Sequence, residues 1–267
     1  MPIQNIRRLW RFIRRMYVSE VKVRMPWYLH RLYRQGMPFV RSFSSGEDAK
    51  LTVWPCPEDM SGPAAAGDRH HEYAYTVDAI VRFGLIGKEL LDLGSSGSFL
   101  PGIMAALGCR VTCYDVRVWP MKWPNLIVKT GDLLAVDQGS FPMASFDAIS
   151  CISTIEHLGL GRYGDAVEVD GDLAGMHRLK EVLKPGGLMI LTVPFGRAEV
   201  AYPAHRIYDR ARFNRLIDGM EVLDQRFYGP VERPGVFQPC SEEETAEITA
   251  DNGYAVKCCV LCKPTVY

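Results

Sequence analysis

The chain has 267 residues, 31 basic and 31 acidic, and is 48% hydrophobic, which is enough to bury a core and excludes a disordered or fibrous protein. No run approaches the roughly 18 apolar residues that a membrane span needs, and the basic start lacks the uninterrupted apolar stretch of a secretory signal. The zero net charge hides an asymmetry. Residues 1–41 hold ten basic residues and one acid, Glu20, leaving 21 basic and 30 acidic residues in the rest.

The first predicted element follows from that basic head. "IRRLWRFIRRMYVSEV" places Ile6, Leu9, Trp10, Ile13, Met16 and Tyr17 at helical spacing with arginines between them, the pattern of a basic amphipathic helix. Residues 42–67, rich in Ser, Gly, Pro and Ala, read as a connecting stretch. Residues 1–67 are thus expected to be a basic helical extension and linker, and 68–267 the main domain. The extension either docks on the acidic body or meets an anionic membrane surface or partner.

From residue 68 the pattern becomes regular. "HHEYAYTVDAIVRFGLI" predicts a helix, "KELLDLG" a strand, Phe99 to Leu107 a helix and "CRVTCYDV" a strand. "LIVKTGDL", "FDAISCIS" and "GLMILTVP" are further β-branched, apolar runs. A helix, "DLAGMHRLKEVL", precedes the last of these and is closed by "KPGG". The tail adds a helix "DRARFNRLI" and strands "MEVLDQRFYG" and "AVKCCVLCKP". Strands alternating with helices predict an α/β fold with a mostly parallel sheet covered on both faces. Most of the eight cysteines fall inside strand-like segments, which predicts buried free thiols in a reducing, cytoplasmic compartment, and the basic head would place the protein at the inner face of a membrane. The single C-x-x-C, Cys259 to Cys262, lacks the second pair that a zinc site would want.

The chemistry begins at "LLDLGSSGSFLP". Its glycines, Gly94 and Gly97, do not match the G-x-G-x-x-G of a dinucleotide loop. Acids at successive strand ends give the turn its meaning. Asp92 precedes it, Asp115 ends the next strand 21 residues after Gly94, and Asp132 ends the third. A carboxylate at the second strand end can accept two ribose hydroxyls, and ligands of open α/β sheets sit at these strand ends.

Asp92-x-Gly94, Asp115, Asp132, "FDAISCISTIEH" and "LKPGG" together resemble the successive motifs of class I S-adenosylmethionine-dependent methyltransferases, over about residues 70–263. The resemblance implies a Rossmann-like, seven-stranded sheet ending in an antiparallel hairpin, with S-adenosylmethionine as cofactor. It places Gly94, Ser95, Ser96 and Gly97 by the methionine part, Asp115 and Val116 by the ribose, Asp132 and Leu133 by the adenine, and Tyr73, Asp92 and Ser153 around them. The family usually carries glycine where this chain has Ser96 and Ser98. "STIEHLGLGRYGD" and "HRIYD" also resemble bacterial methyltransferase-like proteins of unknown function associated with surface-polysaccharide synthesis, which implies a glycan acceptor.

A sugar hydroxyl needs a general base, a metal or both before it attacks a methyl group. His157 is the first candidate for the base, or else it is a wall of the cofactor site. Glu156 is expected to orient it or to hold a metal, and His205 is the second candidate base. Asp165, Glu168, Asp170 and Asp172 could hold a divalent metal such as Mg2+, or Asp170 and Asp172 could simply favour a helix start. Arg162, Tyr163 and Asp165, with Arg206 and Tyr208 from the opposite side, are candidate acceptor contacts. Trp119 and Trp123 could cover an adenine or pack in the core.

Three functions fit. One is a methyltransferase acting on a sugar hydroxyl of a small molecule, surface glycan or glycolipid. Another is a methyltransferase-like binding module without turnover, against which the full set of acids argues. The third is a nucleic-acid methyltransferase; the acidic body and the lack of N-P-P-[YF] speak against it, and no nucleic-acid partner is expected.

Overall fold

The computed structural model describes residues 40–42, 52–53, 68–118, 121–135, 141–165, 167–230, 237–246, 248 and 253–265. The basic amphipathic helix expected near the start lies outside them, as does Trp119. Strands β1 (Val40–Ser42) and β2 (Thr52–Val53) form a small antiparallel ladder, so part of the expected linker is paired backbone.

The main domain opens with α1 (Asp68–Arg82), which carries an acid in its first turn and a base in its last, as the helix dipole favours. There follow β3 (Glu89–Leu93), α2 (Leu100–Ala106), β4 (Arg110–Asp115), β5 (Leu126–Thr130) and β6 (Phe146–Ile152). A 3₁₀ turn (Ile155–His157), α3 (Gly171–Val182) and β7 (Leu183–Phe195) come next. The chain ends with β8 (Glu199–Ala201), β9 (His205–Ile207), α4 (Arg210–Leu216), β10 (Glu221–Pro230), β11 (Phe237–Cys240), α5 (Glu242–Thr245) and β12 (Ala255–Cys262).

The large sheet has the order β11-β10-β12-β7-β6-β3-β4-β5. Strands β7, β6, β3, β4 and β5 run parallel, while β12, β10 and β11 are antiparallel to their neighbours. Successive residues of the central strands face opposite sides, which gives two cores from one sheet. Leu91, Ile149, Leu191 and Cys259 pack with Met176 and Leu179 of α3 and Phe213 of α4. Leu90, Ala148, Ile190 and Cys258 pack with Ala79 and Ile80 of α1 and Met104 of α2. Each such leucine contributes about 1.5–3 kcal/mol by leaving water.

Three details differ from expectation. The sheet has eight strands, because β11 pairs with β10 as an extra antiparallel edge. Pro239 and the lack of alternation in "FQPC" hide it in the sequence. The "KPGG" segment does not separate helix from strand. The chain enters β7 directly at Leu183, and the residues between Leu183 and Leu188 bulge out of register with β6. Finally, β8 and β9 form a small antiparallel hairpin, in a stretch to which the sequence assigned no element.

The reversal in strand order falls at β3. Its connection leads to β4 on one side, and β6 lies on the other. The crevice outside the carboxyl ends of β3, β4 and β6 is therefore where a ligand would lie.

Candidate functional site

A cavity of about 310 Å³ opens at that crevice. It is lined by Tyr73, Asp92, Gly94, Ser96, Gly97, Asp115, Val116, Asp132, Leu133 and Ser153, and also by His157, Tyr163 and Asp165. Of the expected cofactor residues Ser95 alone stays out of it; its hydroxyl turns inward and donates to the Asp92 carbonyl at 2.7 Å. Sequence reasoning missed Arg69, Ser98, Tyr114, Arg117 and Thr154, which also line the cavity.

The glycine turn is tight for a reason. Gly94 sits at φ +79°, and a Cβ there would lie 2.1 Å from the Thr154 Oγ1. The serines do the turn's polar work. Ser98 Oγ accepts from Leu100 N at 3.1 Å and lies 3.1 Å from the Tyr73 hydroxyl, tying α1 to the start of α2. Asp115 Oδ2 accepts from the Ser96 amide at 2.8 Å, so the second strand end shapes the first loop. Asp115 also accepts from Arg117, through the amide at 2.8 Å and through Nε and Nη2 at 3.1 and 3.2 Å. Asp92 is buried and bonded to the Ser150 hydroxyl, and desolvation pushes its carboxyl up to about 7.

Behind Ser153 lies a buried polar network. Ser153 itself is at φ +40°, held by its amide on Thr192 Oγ1 at 2.9 Å and its hydroxyl on Glu72. Glu72 also accepts from Thr192 and from Arg69 Nη1 at 3.0 Å. This network fixes α1 over the end of β6 and points Arg69 toward the cavity.

At the acceptor end, His157 Nδ1 lies 2.6 Å from the carbonyl of Ala204. A carbonyl only accepts, so Nδ1 carries the hydrogen. Burial and the nearby Arg162 lower the imidazole to about 4, which leaves Nε2 with a free lone pair at neutral pH. The Glu156 Oε1 is 3.7 Å from that nitrogen, too far for a hydrogen bond. Glu156 is buried, its Oε2 has no partner among the described residues, and desolvation pushes it up to about 8. It is therefore a neutral acid beside a neutral base and lies behind the cavity wall. The His205 ring is 6.3 Å from that of His157, just outside the cavity.

Several expected contacts are corrected. Arg206 and Tyr208, read as acceptor contacts, are fully buried. Arg206 donates to the carbonyls of Glu156, Leu158, Glu168 and Val169 at 3.3, 2.6, 3.3 and 3.0 Å. Tyr208 donates to Asp172 at 2.9 Å. Two of the acids read as candidate metal ligands are spent on the protein: Asp172 on Tyr208 and Arg212, and Asp165 on the amides of Gly159, Gly161 and Tyr163. Asp170 is the N-cap residue of α3. Among the described residues no group of three or more His, Cys, Asp or Glu is placed to hold a metal ion. Trp123 packs against the core on the α1 side of the sheet. Burial pushes the thiols of Cys109, Cys113 and Cys259 up to about 12, so they are unreactive core residues.

A sheet with this strand order, a glycine turn after its first parallel strand and acids at the next strand ends has the Rossmann-like methyltransferase fold. The family described as Caenorhabditis protein of unknown function, DUF268, matches residues 134–251, a segment that includes the His157 loop and the β8–β9 hairpin. The ubiquinone biosynthesis O-methyltransferase of Xanthomonas campestris pv. campestris (strain B100) is 30% identical over 123 residues, covering 42% of this chain and 45% of the relative. The chain thus spans about half the length of the curated relatives it matches. Two solved structures share the fold. The Burkholderia thailandensis 1,6-didemethyltoxoflavin-N1-methyltransferase, with bound S-adenosylhomocysteine, has a TM-score of 0.52 at 16% identity, covering 74% of this chain and 80% of that one. The N-methyltransferase NodS of Bradyrhizobium japonicum WM9, also with S-adenosylhomocysteine, has a TM-score of 0.50 at 13% identity, covering 74% and 87%.

Proposed function

We propose that this chain is an S-adenosylmethionine-dependent O-methyltransferase acting on a hydroxyl of a small-molecule or glycan acceptor, with a sugar hydroxyl as the preferred class. One observation carries the reading. Asp92, the Gly94 turn, Asp115 and Asp132 converge on a single cavity that is also lined by His157, a neutral imidazole with a bare Nε2.

The residues suit that cofactor on structural grounds. Gly94 leaves a cradle that a Cβ would fill. Asp115 offers a carboxylate at a strand end, held in place by the two backbone amides of Ser96 and Arg117, to which ribose hydroxyls can donate. Asp132 and Leu133 give one polar and one apolar contact at the adenine end. Arg69 supplies a cation for the amino-acid carboxylate. The two solved neighbours with bound S-adenosylhomocysteine support the same reading.

When bound, S-adenosylmethionine supplies a methyl group on a positively charged sulfur. The protein's task is then to align the acceptor and take its proton. His157 Nε2 would take the proton of the acceptor hydroxyl as that oxygen becomes the nucleophile. The Ala204 carbonyl holds Nδ1–H and so keeps the imidazole in the tautomer that can do this. The name of the curated relative, an O-methyltransferase, supports a hydroxyl acceptor.

Calorimetric titration with S-adenosylmethionine and S-adenosylhomocysteine tests the reading. Binding in the micromolar range is expected, and no binding at millimolar cofactor overturns it. His157→Ala is expected to keep that affinity while methyl transfer falls about 10²–10⁴-fold. Loss of cofactor binding in this variant would instead make His157 a wall of the cofactor site.

A further inference from the structure

The loop after the 3₁₀ turn brings Arg162 beside His157. Arg162 Nη1 donates to the Ala204 carbonyl at 3.0 Å, and the same oxygen accepts from His157 Nδ1 at 2.6 Å. One carbonyl thus holds a guanidinium and an imidazole side by side. Arg162 also lies over the Tyr163 ring, 5.3 Å from its centroid, and Arg117 lies over the same ring at 4.6 Å.

The two arginines differ in what is left of their charge. Arg117 is spent on Asp115 and the Ser96 carbonyl. Among the described residues Arg162 makes a single side-chain hydrogen bond and meets no carboxylate. Of the arginines whose side chains are described, ten pair with an acid, and only Arg162 and Arg197 have no ion pair among the described residues. Residues 42–267 hold 21 basic against 30 acidic residues, so an exposed arginine held next to His157 with no ion pair among the described residues is not a surplus charge.

His205 completes the arrangement. Its half-buried ring lies edge-on to His157 at 6.3 Å and to Tyr254 at 5.3 Å, and its nitrogens make no hydrogen bond among the described residues.

We infer that Arg162 and His205 form an oxyanion subsite beside His157, so that the acceptor is an anionic molecule carrying a phosphate or carboxylate near the hydroxyl that is methylated. This deepens the proposed function and rests on its placing the acceptor against His157. The guanidinium fork offers parallel N–H donors to two oxygens of such a group, and an imidazole N–H of His205 can reach a third. Because Arg162 is already held by Ala204 and Tyr163, little side-chain freedom is lost on binding. The other charged groups nearby are accounted for: Asp165 is bonded to three amides, and Glu199 faces His205 from β8. Burial and then Arg162 lower His205, and Arg162 also lowers His157, so an anion that offsets Arg162 raises both.

The test uses the full chain with isotope-labelled histidine, whose six imidazoles are followed by NMR across pH. Glucose 1-phosphate, glucuronate and neutral glucose are added at tens of millimolar. Either anion is expected to raise the His205 pKa by about half a pH unit or more, with glucose inert and the response lost in Arg162→Gln. A response to one anion alone supports the subsite and selects phosphate or carboxylate. An equal response to glucose, a response that survives Arg162→Gln, or none to either anion overturns it. Calorimetry with S-adenosylhomocysteine on the same samples confirms that Arg162→Gln is folded, and its failure in the wild type would reject the cofactor reading instead.

Discussion

Gly94 shows how much a single residue decides. Its φ of +79° excludes most side chains by conformation, and the Thr154 side chain excludes a Cβ by space. Gly94→Ala is expected to cost about 1–3 kcal/mol in chemical denaturation and to weaken S-adenosylhomocysteine binding. Adding Thr154→Ala relieves the contact and leaves the backbone strain, so the double variant should recover only part of the loss. Full stability in Gly94→Ala would show that the turn rearranges freely. The surrounding acids were legible in the sequence because each ends an apolar run. Arg69 and Arg117 were not, because an arginine at a helix start or after a strand end looks like ordinary surface charge until the cavity is seen.

Among the elements, the β8–β9 hairpin does the most with the fewest residues. It delivers Ala204 to the His157 ring, and Arg206 on β9 gathers four carbonyls from the two ends of the loop that carries Arg162 and Tyr163. A buried arginine donating to four carbonyls, with Asp172 3.5 Å from its Nε, is costly to remove. Arg206→Leu is expected to lose about 3–5 kcal/mol of stability by denaturant unfolding, leaving Asp172 and the carbonyls without that partner. A loss below about 1 kcal/mol would mean that water replaces the side chain at no cost. The sequence pointed at "HRIYD" and assigned it outward. Only the folded chain shows that Arg206 and Tyr208 face inward while His205 stays half-buried just outside the cavity.

At the scale of the whole molecule, buried titratable groups give stability a pH dependence whose sign can be stated. Burial holds Asp92 at about 7 and Glu156 at about 8, so from about pH 5 up to those values each keeps a proton that the unfolded chain has released. Stability therefore falls as pH rises through this window, by up to about 1.4 kcal/mol per pH unit for each group. His70 and His157, lowered to about 4, act the other way: the unfolded chain takes up protons below about pH 6.5 that the fold refuses, so stability is lost toward acid. Melting temperature is expected to decline from pH 6.5 to 8, with a shallower slope in Glu156→Gln. A flat or rising wild-type profile would contradict the burial of these carboxyls.

The sequence by itself determined the α/β class, the order of the main strands and helices, and the acids around the glycine turn. Those features are local: apolar runs of strand length, helical periodicity and a carboxylate at a fixed offset from a turn are all written within a few residues. The tertiary structure decided the eighth strand, the hairpin over His157, the inward turn of Arg206 and the spending of the loop acids on amides and tyrosine. Each depends on partners far apart in the chain, since Arg206 meets Leu158 and Glu72 meets Thr192 only once the sheet has brought their strands together. Whether a polar side chain faces water, a ligand or a carbonyl is a property of what packs against it, and no window of sequence contains that neighbour.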